Sequence, residues 1–164
     1  MKEKINKTNA ARILDREHIP YQLLSYPVDE QDLGAAHIAE VLHMPIDQLF
    51  KTLVLQGDKS GYFVCVIPGA DEVDLKKAAR ATGNKKCDII HQKELLPLTG
   101  YIRGGCSPIG MKKPFPTFFH SSIMNYPHIY CSAGQRGLQF CIAPSDLVRA
   151  ANGKVVDLTQ EQLS

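Results

Sequence analysis

Three short stretches of the 164-residue chain hold residue types that could do chemistry: Phe50-Lys51-Thr52-Leu53, Gly104-Gly105-Cys106-Ser107-Pro108-Ile109-Gly110, and Ser132-Ala133-Gly134-Gln135-Arg136-Gly137. A lysine at the start of an apolar run either snorkels to the surface or points its ammonium into a pocket. Thr52 beside it faces the other way if the strand is regular. The glycine-rich stretch admits three readings: a nucleophile, Ser107 or Cys106, in a catalytic turn; a cradle of backbone N–H groups; or a tight bend. Glycine is favoured where backbone approaches a ligand or takes positive φ, and Pro108 fixes its own φ and removes one donor. That composition weights the backbone above the side chains. No G-x-S-x-G elbow surrounds Ser107, and no Asp/Glu–His partner can be assigned to it from the sequence. Neither G-x-G-x-x-G nor G-x-x-x-x-G-K-[ST] is present, which argues against nucleotide hydrolysis.

Composition narrows the field further. Apolar content of 44% and charged content of 22% are ordinary for a globular chain, and the length suits one domain spanning residues 1–164. No apolar run approaches the ~20 residues that span a bilayer, and the first seven residues lack the apolar stretch of a signal peptide. A cytoplasmic address and no membrane partner are therefore expected. Five cysteines form an odd set without C-x-x-C, so free thiols are expected. The histidines show no ligand spacing, and neither a metal nor a cofactor is expected. A net charge of +2 is too small for a dedicated DNA binder, so any contact with nucleic acid falls to local basic clusters.

The elements that must position these stretches follow from periodicity. A helix is expected over 8–17, with Ala10, Ile13 and Leu14 inward and Asn6 or Thr8 as cap. A strand over 21–26, a helix over 35–42 and a helical turn at 45–48 come next. Two apolar runs around Gly57-Asp58-Lys59-Ser60-Gly61 predict a buried hairpin, 50–56 with 62–67. The most basic helix, 72–82, is capped by Asp71 or Asp74; Leu75, Ala78 and Ala79 pack, while Lys76, Lys77 and Arg80 share the opposite face. Strands at 87–90, 117–120, 128–132, 138–142 and 155–158 and helical segments at 91–96 and 144–150 complete the chain. The fold class is α+β: a mixed, mostly antiparallel twisted sheet, partly closed into a barrel, with helices packed around it.

Taken together and in this order, the three stretches resemble the YbaK/EbsC branch of the prolyl-tRNA synthetase-associated editing-domain family. The likeness runs from the opening helix and strand through Tyr26, Phe50-Lys51-Thr52-Leu53, the basic helix and the glycine loop with Lys112-Lys113 behind it, to Ser132-Ala133-Gly134-Gln135-Arg136-Gly137. It implies a trans-editing aminoacyl-tRNA deacylase acting on cysteinyl-tRNA, notably tRNA for proline wrongly charged with cysteine. On the family's pattern Lys51 is the pocket lysine, and Gly104, Gly105, Ser107 and Pro108, with Gly110 closing the loop, wall the ester. Ser132, Gly134, Arg136 and Gly137 form the opposite rim, and Tyr26 lies near the mouth. Leu33 stands where relatives can carry a larger aromatic, and Gln139 where they can carry an acid. Thr52 completes the substrate-binding set.

The resemblance also implies a mechanism in which the substrate's own thiol attacks the carbonyl, so that no enzyme nucleophile is needed. Water in the same pocket is the alternative. The partner is the acceptor end of a mischarged tRNA, with prolyl-tRNA synthetase as a possible docking partner. Lys76, Lys77, Arg80, Lys112 and Lys113, together with Lys85, Lys86 and Arg103, are the candidates for phosphate contacts. Two rivals stay open: a deacylase for another small acyl group such as alanine on tRNA for proline, and a non-catalytic module of the same fold that binds RNA or a synthetase.

Overall fold

The computed structural model describes residues 7–160. Thr8 opens α1 (Asn9–Arg16): its hydroxyl accepts the Ala11 N–H and donates to the Ala133 carbonyl, so the cap also ties the helix to the strand carrying the third stretch. Asn6, the other cap expected, lies outside the described residues. Then come β1 (Gln22–Ser25), α2 (Ala35–Val41), a 3-10 turn (Ile46–Gln48), β2 (Phe50–Gly57) and β3 (Gly61–Pro68). The second half runs α3 (Leu75–Ala81), β4 (Cys87–Ile89), α4 (Gln92–Thr99), β5 (Thr117–His120), β6 (Ile129–Gln135), β7 (Leu138–Ile142), α5 (Pro144–Ala150) and β8 (Lys154–Val156). No helix among the described residues is long and apolar enough to cross a membrane.

The strands form a three-stranded sheet, β1-β7-β6, and a five-stranded sheet, β4-β2-β3-β5-β8. Pairing is antiparallel except at β3–β5 and β5–β8, so the mixed, mostly antiparallel character is present. The barrel is not. The two sheets meet through one parallel bridge, Leu49 with Tyr130, and the larger sheet ends at β4 and β8 instead of returning to β6. Because β5 and β8 add in parallel beyond the hairpin, the sheet grows sideways and its edges never come together.

The β2–β3 hairpin has few polar residues because both its faces are covered. Phe50, Val54, Val64 and Val66 pack in one cluster with Cys131, Phe140 and the α1 residues Ala10 and Leu14. Leu55, Phe63, Cys65 and Ile67 pack on the other face with Ala78 and Ala79 of α3. Asp74, not Asp71, caps α3, accepting the N–H groups of Lys76 and Lys77. Two expectations for this helix fail. Leu75 does not pack but remains 37% exposed. Lys77 is no member of a free basic face: its ammonium donates to the Asp157 carboxylate and the Thr159 carbonyl, tying α3 to the chain after β8.

Candidate active site

Along residues 50–54, β2 is paired with β3 on one side, whereas β4 joins its other side only from Leu55 onward. Between the Leu49 bridge and the Ile90 N–H that donates to the Val54 carbonyl, that edge of β2 has no strand beside it among the described residues. A cleft of about 480 Å³ opens there, within the usual range of small-ligand pockets. Lys51, Thr52, Gly104, Cys106, Ser132 and Gln139 contribute its polar groups, so residues from all three stretches meet in one cavity. Leu33, Ala35, Ile38, Ile89, Ile90 and Leu95 supply apolar walls.

Burial draws the pKa of Lys51 below the ordinary lysine value, and the Glu72 and Asp71 carboxylates push it back up. A partly desolvated ammonium interacts more strongly with a developing negative charge than one in bulk water. Two residues that line the cleft each carry a side-chain oxygen, Thr52 Oγ1 and Gln139 Oε1, that is buried without a hydrogen-bond partner among the described residues. Leaving such a group unsatisfied costs about 1–3 kcal/mol. The Ser132 hydroxyl, by contrast, accepts the Gly134 N–H.

The glycine loop divides its work differently from a symmetrical cradle. Gly104 takes φ 86, and a Cβ there would sit 3.4 Å from Arg136 and Leu33. The Gly105 N–H is already spent on the Ile102 carbonyl at 2.9 Å, so Gly105 adds no donor to the backbone cradle that is one reading of this loop. Gly105 instead lets the loop lie against the β6–β7 turn, where a Cβ would come within 3.0 Å of the Arg136 nitrogen and Gln135 Cα. Among the described residues the Gly104 and Cys106 N–H groups donate to no protein acceptor, and both residues line the cleft. Burial pushes the Cys106 thiol up to about 12, which keeps it un-ionised and a poor nucleophile. The Ser107 hydroxyl is fully buried and accepts the Ile109 N–H. Gly105→Ala is thus expected to lower turnover at least about tenfold by displacing the Gly104 and Cys106 N–H groups that face the cleft, whereas Cys106→Ala and Ser107→Ala have much smaller effects. Steady-state rates on a mischarged tRNA check this, and an inactive but folded Cys106→Ala protein would restore the nucleophile reading.

Several residues expected at the site lie elsewhere. Pro108, Gly110 and Lys113 border a separate depression with Ile13 and Phe115. Gly110 and Gly134 make room for Tyr101, whose hydroxyl donates to the Ile109 carbonyl and whose ring would strike a Cβ at Gly134. Gly137 packs on Val28 and the Tyr26 carbonyl; Tyr26 joins the cluster of Ile38, Ala39 and Leu49 and does not line the cleft. Arg136 donates from Nε to the Arg103 carbonyl, so two cations flank Gly104 at the rim. The Lys112 stem lies against Gly100. Lys76 and Arg80 are exposed on α3. Sequence reasoning missed the wall from Ile89, Ile90, Gln92 and Leu95, and gave Arg103 no place at the pocket. The signals were the unalternated Asp88-Ile89-Ile90 run and an arginine directly before two glycines. Among the described residues no three His, Cys, Asp or Glu side chains gather closely enough to hold a metal ion.

Comparison with known proteins adds a family and several relatives. Residues 30–150 match the model of the aminoacyl-tRNA editing domain. A protein of Enterococcus faecalis, EbsC, provisionally named a Cys-tRNA(Pro)/Cys-tRNA(Cys) deacylase, is 45% identical over 98% of both chains. A proline–tRNA ligase of Cupriavidus necator is 26% identical over 63% of this chain, a match that covers 19% of the ligase. Among solved structures, one provisionally described as a trans-editing enzyme for prolyl-tRNA synthetase superposes with a TM-score of 0.81 at 24% identity, covering 95% of this chain and 100% of the other.

Proposed function

Because the chain belongs to the aminoacyl-tRNA editing domain family, we propose that it is a trans-editing deacylase that releases cysteine from mischarged tRNA, tRNA for proline above all. The observation that carries the reading is the near-full-length likeness to EbsC, a free-standing match and not merely a segment of a ligase. The cleft suits the chemistry: its polar groups line a space large enough for an acyl group together with the terminal nucleoside that carries it.

An aminoacyl ester is already activated, so the site's task is to stabilise charge and hold geometry. In the proposed reaction the substrate's sulfur attacks its own ester carbonyl, and negative charge gathers on the carbonyl oxygen. The carbon–oxygen bond to the terminal ribose then breaks. The ribose oxygen takes up the proton that the thiol has given up, leaving a tRNA with a free hydroxyl and a cysteine thiolactone, whose carbon–sulfur bond water then cleaves to give cysteine. Backbone donors aimed at such an oxygen are worth roughly 100- to 1,000-fold in rate each, which is the role given to the Gly104 and Cys106 N–H groups. Lys51 adds a positive charge at the ester or the terminal phosphate. Arg103 and Arg136 meet the acceptor-end phosphates at the rim, and docking on prolyl-tRNA synthetase in the cytoplasm would supply the choice of tRNA.

Deacylation of cysteinyl-, alanyl- and prolyl-tRNA by the purified chain tests this. Cysteinyl-tRNA should be cleaved fastest. Faster release of alanine would move the assignment to another small acyl group, and release of none would leave a binding module.

A further inference from the structure

The glycine loop is held together by a residue that does not line the cleft. Residues 100–111 lie between α4 and β5 outside any helix or strand. Their ends meet where the Lys112 N–H donates to the Thr99 carbonyl at 3.0 Å, and the Thr99 hydroxyl accepts the Tyr101 N–H at 3.0 Å. Inside that neck the Tyr101 hydroxyl donates to the Ile109 carbonyl, and nearer the tip the Gly105 N–H reaches the Ile102 carbonyl. The ties are nested, as in a compact loop packed by its own side chains, and Tyr101 makes the one that joins limb to limb.

Two other segments place the phenol. A Cβ on Gly110 would come within 2.7 Å of the Tyr101 oxygen, and one on Gly134 within 3.2 Å of its ring. Gly134 lies in the irregular stretch of β6 between Ser132 and Gln135, and Gly110 abuts Ala10 of α1. Both glycines take positive φ, and the contact with the phenol is a second demand for the missing Cβ. None of the three residues lines the cleft. Burial first, and the neighbouring Cys106 thiol second, push the phenol up to about 12, so it remains a donor throughout the neutral range.

On the deacylase reading, on which this inference rests, the loop presents the Gly104 and Cys106 N–H groups to the reacting oxygen, and both lie between the limbs that Tyr101 joins. We propose that Tyr101 is a positioning residue for the reaction: by holding Ile109 and packing against Gly110 and Gly134 outside the cleft, it fixes the arc 103–106 on which those two donors sit. Without the hydroxyl, the carbonyl of the buried Ile109 loses its partner, and its limb loses the tie to Tyr101. The donors are then free to shift against the substrate, and a misplacement of about 1 Å at a reacting centre can cost about 100-fold in rate.

Turnover of cysteinyl-tRNA in wild type, Tyr101→Phe and Tyr101→p-aminophenylalanine tests this, the last variant keeping a donor on a ring of the same shape. Tyr101→Phe should lose about 10- to 100-fold in kcat with KM within about twofold, and the amine should restore most of the rate. In double-mutant cycles the loss should fail to multiply with that of Gly105→Ala, which moves the same donors, and should multiply with that of Lys51→Arg, which acts from β2. A folded Tyr101→Phe protein with wild-type kcat, or one whose loss multiplies in full with that of Gly105→Ala, overturns the inference. The amide NMR signals of Gly104 and Cys106 give a reading that does not depend on activity: both should move or broaden in Tyr101→Phe while those of β2 hold. If wild type cleaves no ester, the deacylase reading fails, and these signals alone decide whether Tyr101 sets the loop; unmoved signals would show that it does not.

Discussion

Replacing Lys51 by alanine is expected to reduce deacylation of cysteinyl-tRNA by about 100- to 1,000-fold while the protein stays folded, the scale of removing one preorganised charge or donor from a transition state. Lys51 stands at the second position of a strand whose backbone is fixed by pairing with β3, so its stem leaves the sheet from a rigid point. Half-burial weakens the competition from water for its ammonium. The fold should tolerate the change because, among the described residues, Lys51 forms no salt bridge within 4 Å and is not itself a buried core residue. Lys51→Arg keeps the charge but brings a wider, planar fork, and should restore only part of the rate. The same residue sets a pH dependence. Burial lowers its pKa, so the ammonium is lost at a lower pH than for an ordinary lysine, and activity corrected for the ester's spontaneous hydrolysis should fall on the alkaline side. In Lys51→Arg that alkaline limb should disappear. Thermal unfolding alongside the rates separates a lost charge from a lost fold; a Lys51→Ala protein that is folded and nearly as active as wild type would remove Lys51 from the mechanism.

Blocking the substrate's thiol should have an effect as large. S-methylcysteinyl-tRNA differs from cysteinyl-tRNA by one methyl and cannot cyclise. If the substrate's sulfur is the nucleophile, its release should be at least about 100-fold slower, because methylation removes the tethered nucleophile and leaves only attack by water. Seryl-tRNA should also lag far behind, since a few per cent of a thiol is ionised near neutral pH and almost none of a hydroxyl. The glycine loop offers no substitute: burial pushes the Cys106 thiol up to about 12, and the Ser107 hydroxyl is enclosed and hydrogen-bonded. Equal rates for cysteinyl- and S-methylcysteinyl-tRNA would rule out cyclisation and point to a bound water as the nucleophile.

The two predictions depend on how residues far apart in sequence come together, and only part of that was legible beforehand. The hairpin of β2 and β3 was readable because two apolar runs flank a glycine-bounded turn, and burial on both faces leaves no other structure for them. Thr8 as one of two caps offered for α1, and the bounds of α5, were readable because a side-chain oxygen before a helix and a proline at its first position act within one turn of chain. The failures were of another kind. Leu75 satisfies the helical spacing of a packed residue, yet α3 turns that position outward. Lys77 sits in a basic run, yet the chain after β8 passes beside it and supplies Asp157 and the Thr159 carbonyl.

What the sequence determined by itself is the set of local geometries: a strand beginning with lysine, a loop that only glycines can bend, and a second glycine turn near the end of the chain. Their residue types and order were enough to reveal the resemblance to the editing family, because backbone conformation at each depends on a few neighbouring residues. The tertiary structure decided which of these groups face the same space. Joining the sheets at Leu49 and Tyr130 leaves one edge of β2 without a strand beside it along residues 50–54 and sets Thr52 and Gln139 along a common cleft. Packing the loop on the β6–β7 turn consumes the Gly105 N–H and leaves those of Gly104 and Cys106. It also carries Pro108 and Gly110 to another face. Such outcomes depend on pairings across scores of residues and on which polar groups find a partner there. Spacing along the chain therefore located the landmarks, while the availability of each donor and acceptor was fixed only when the two sheets came together.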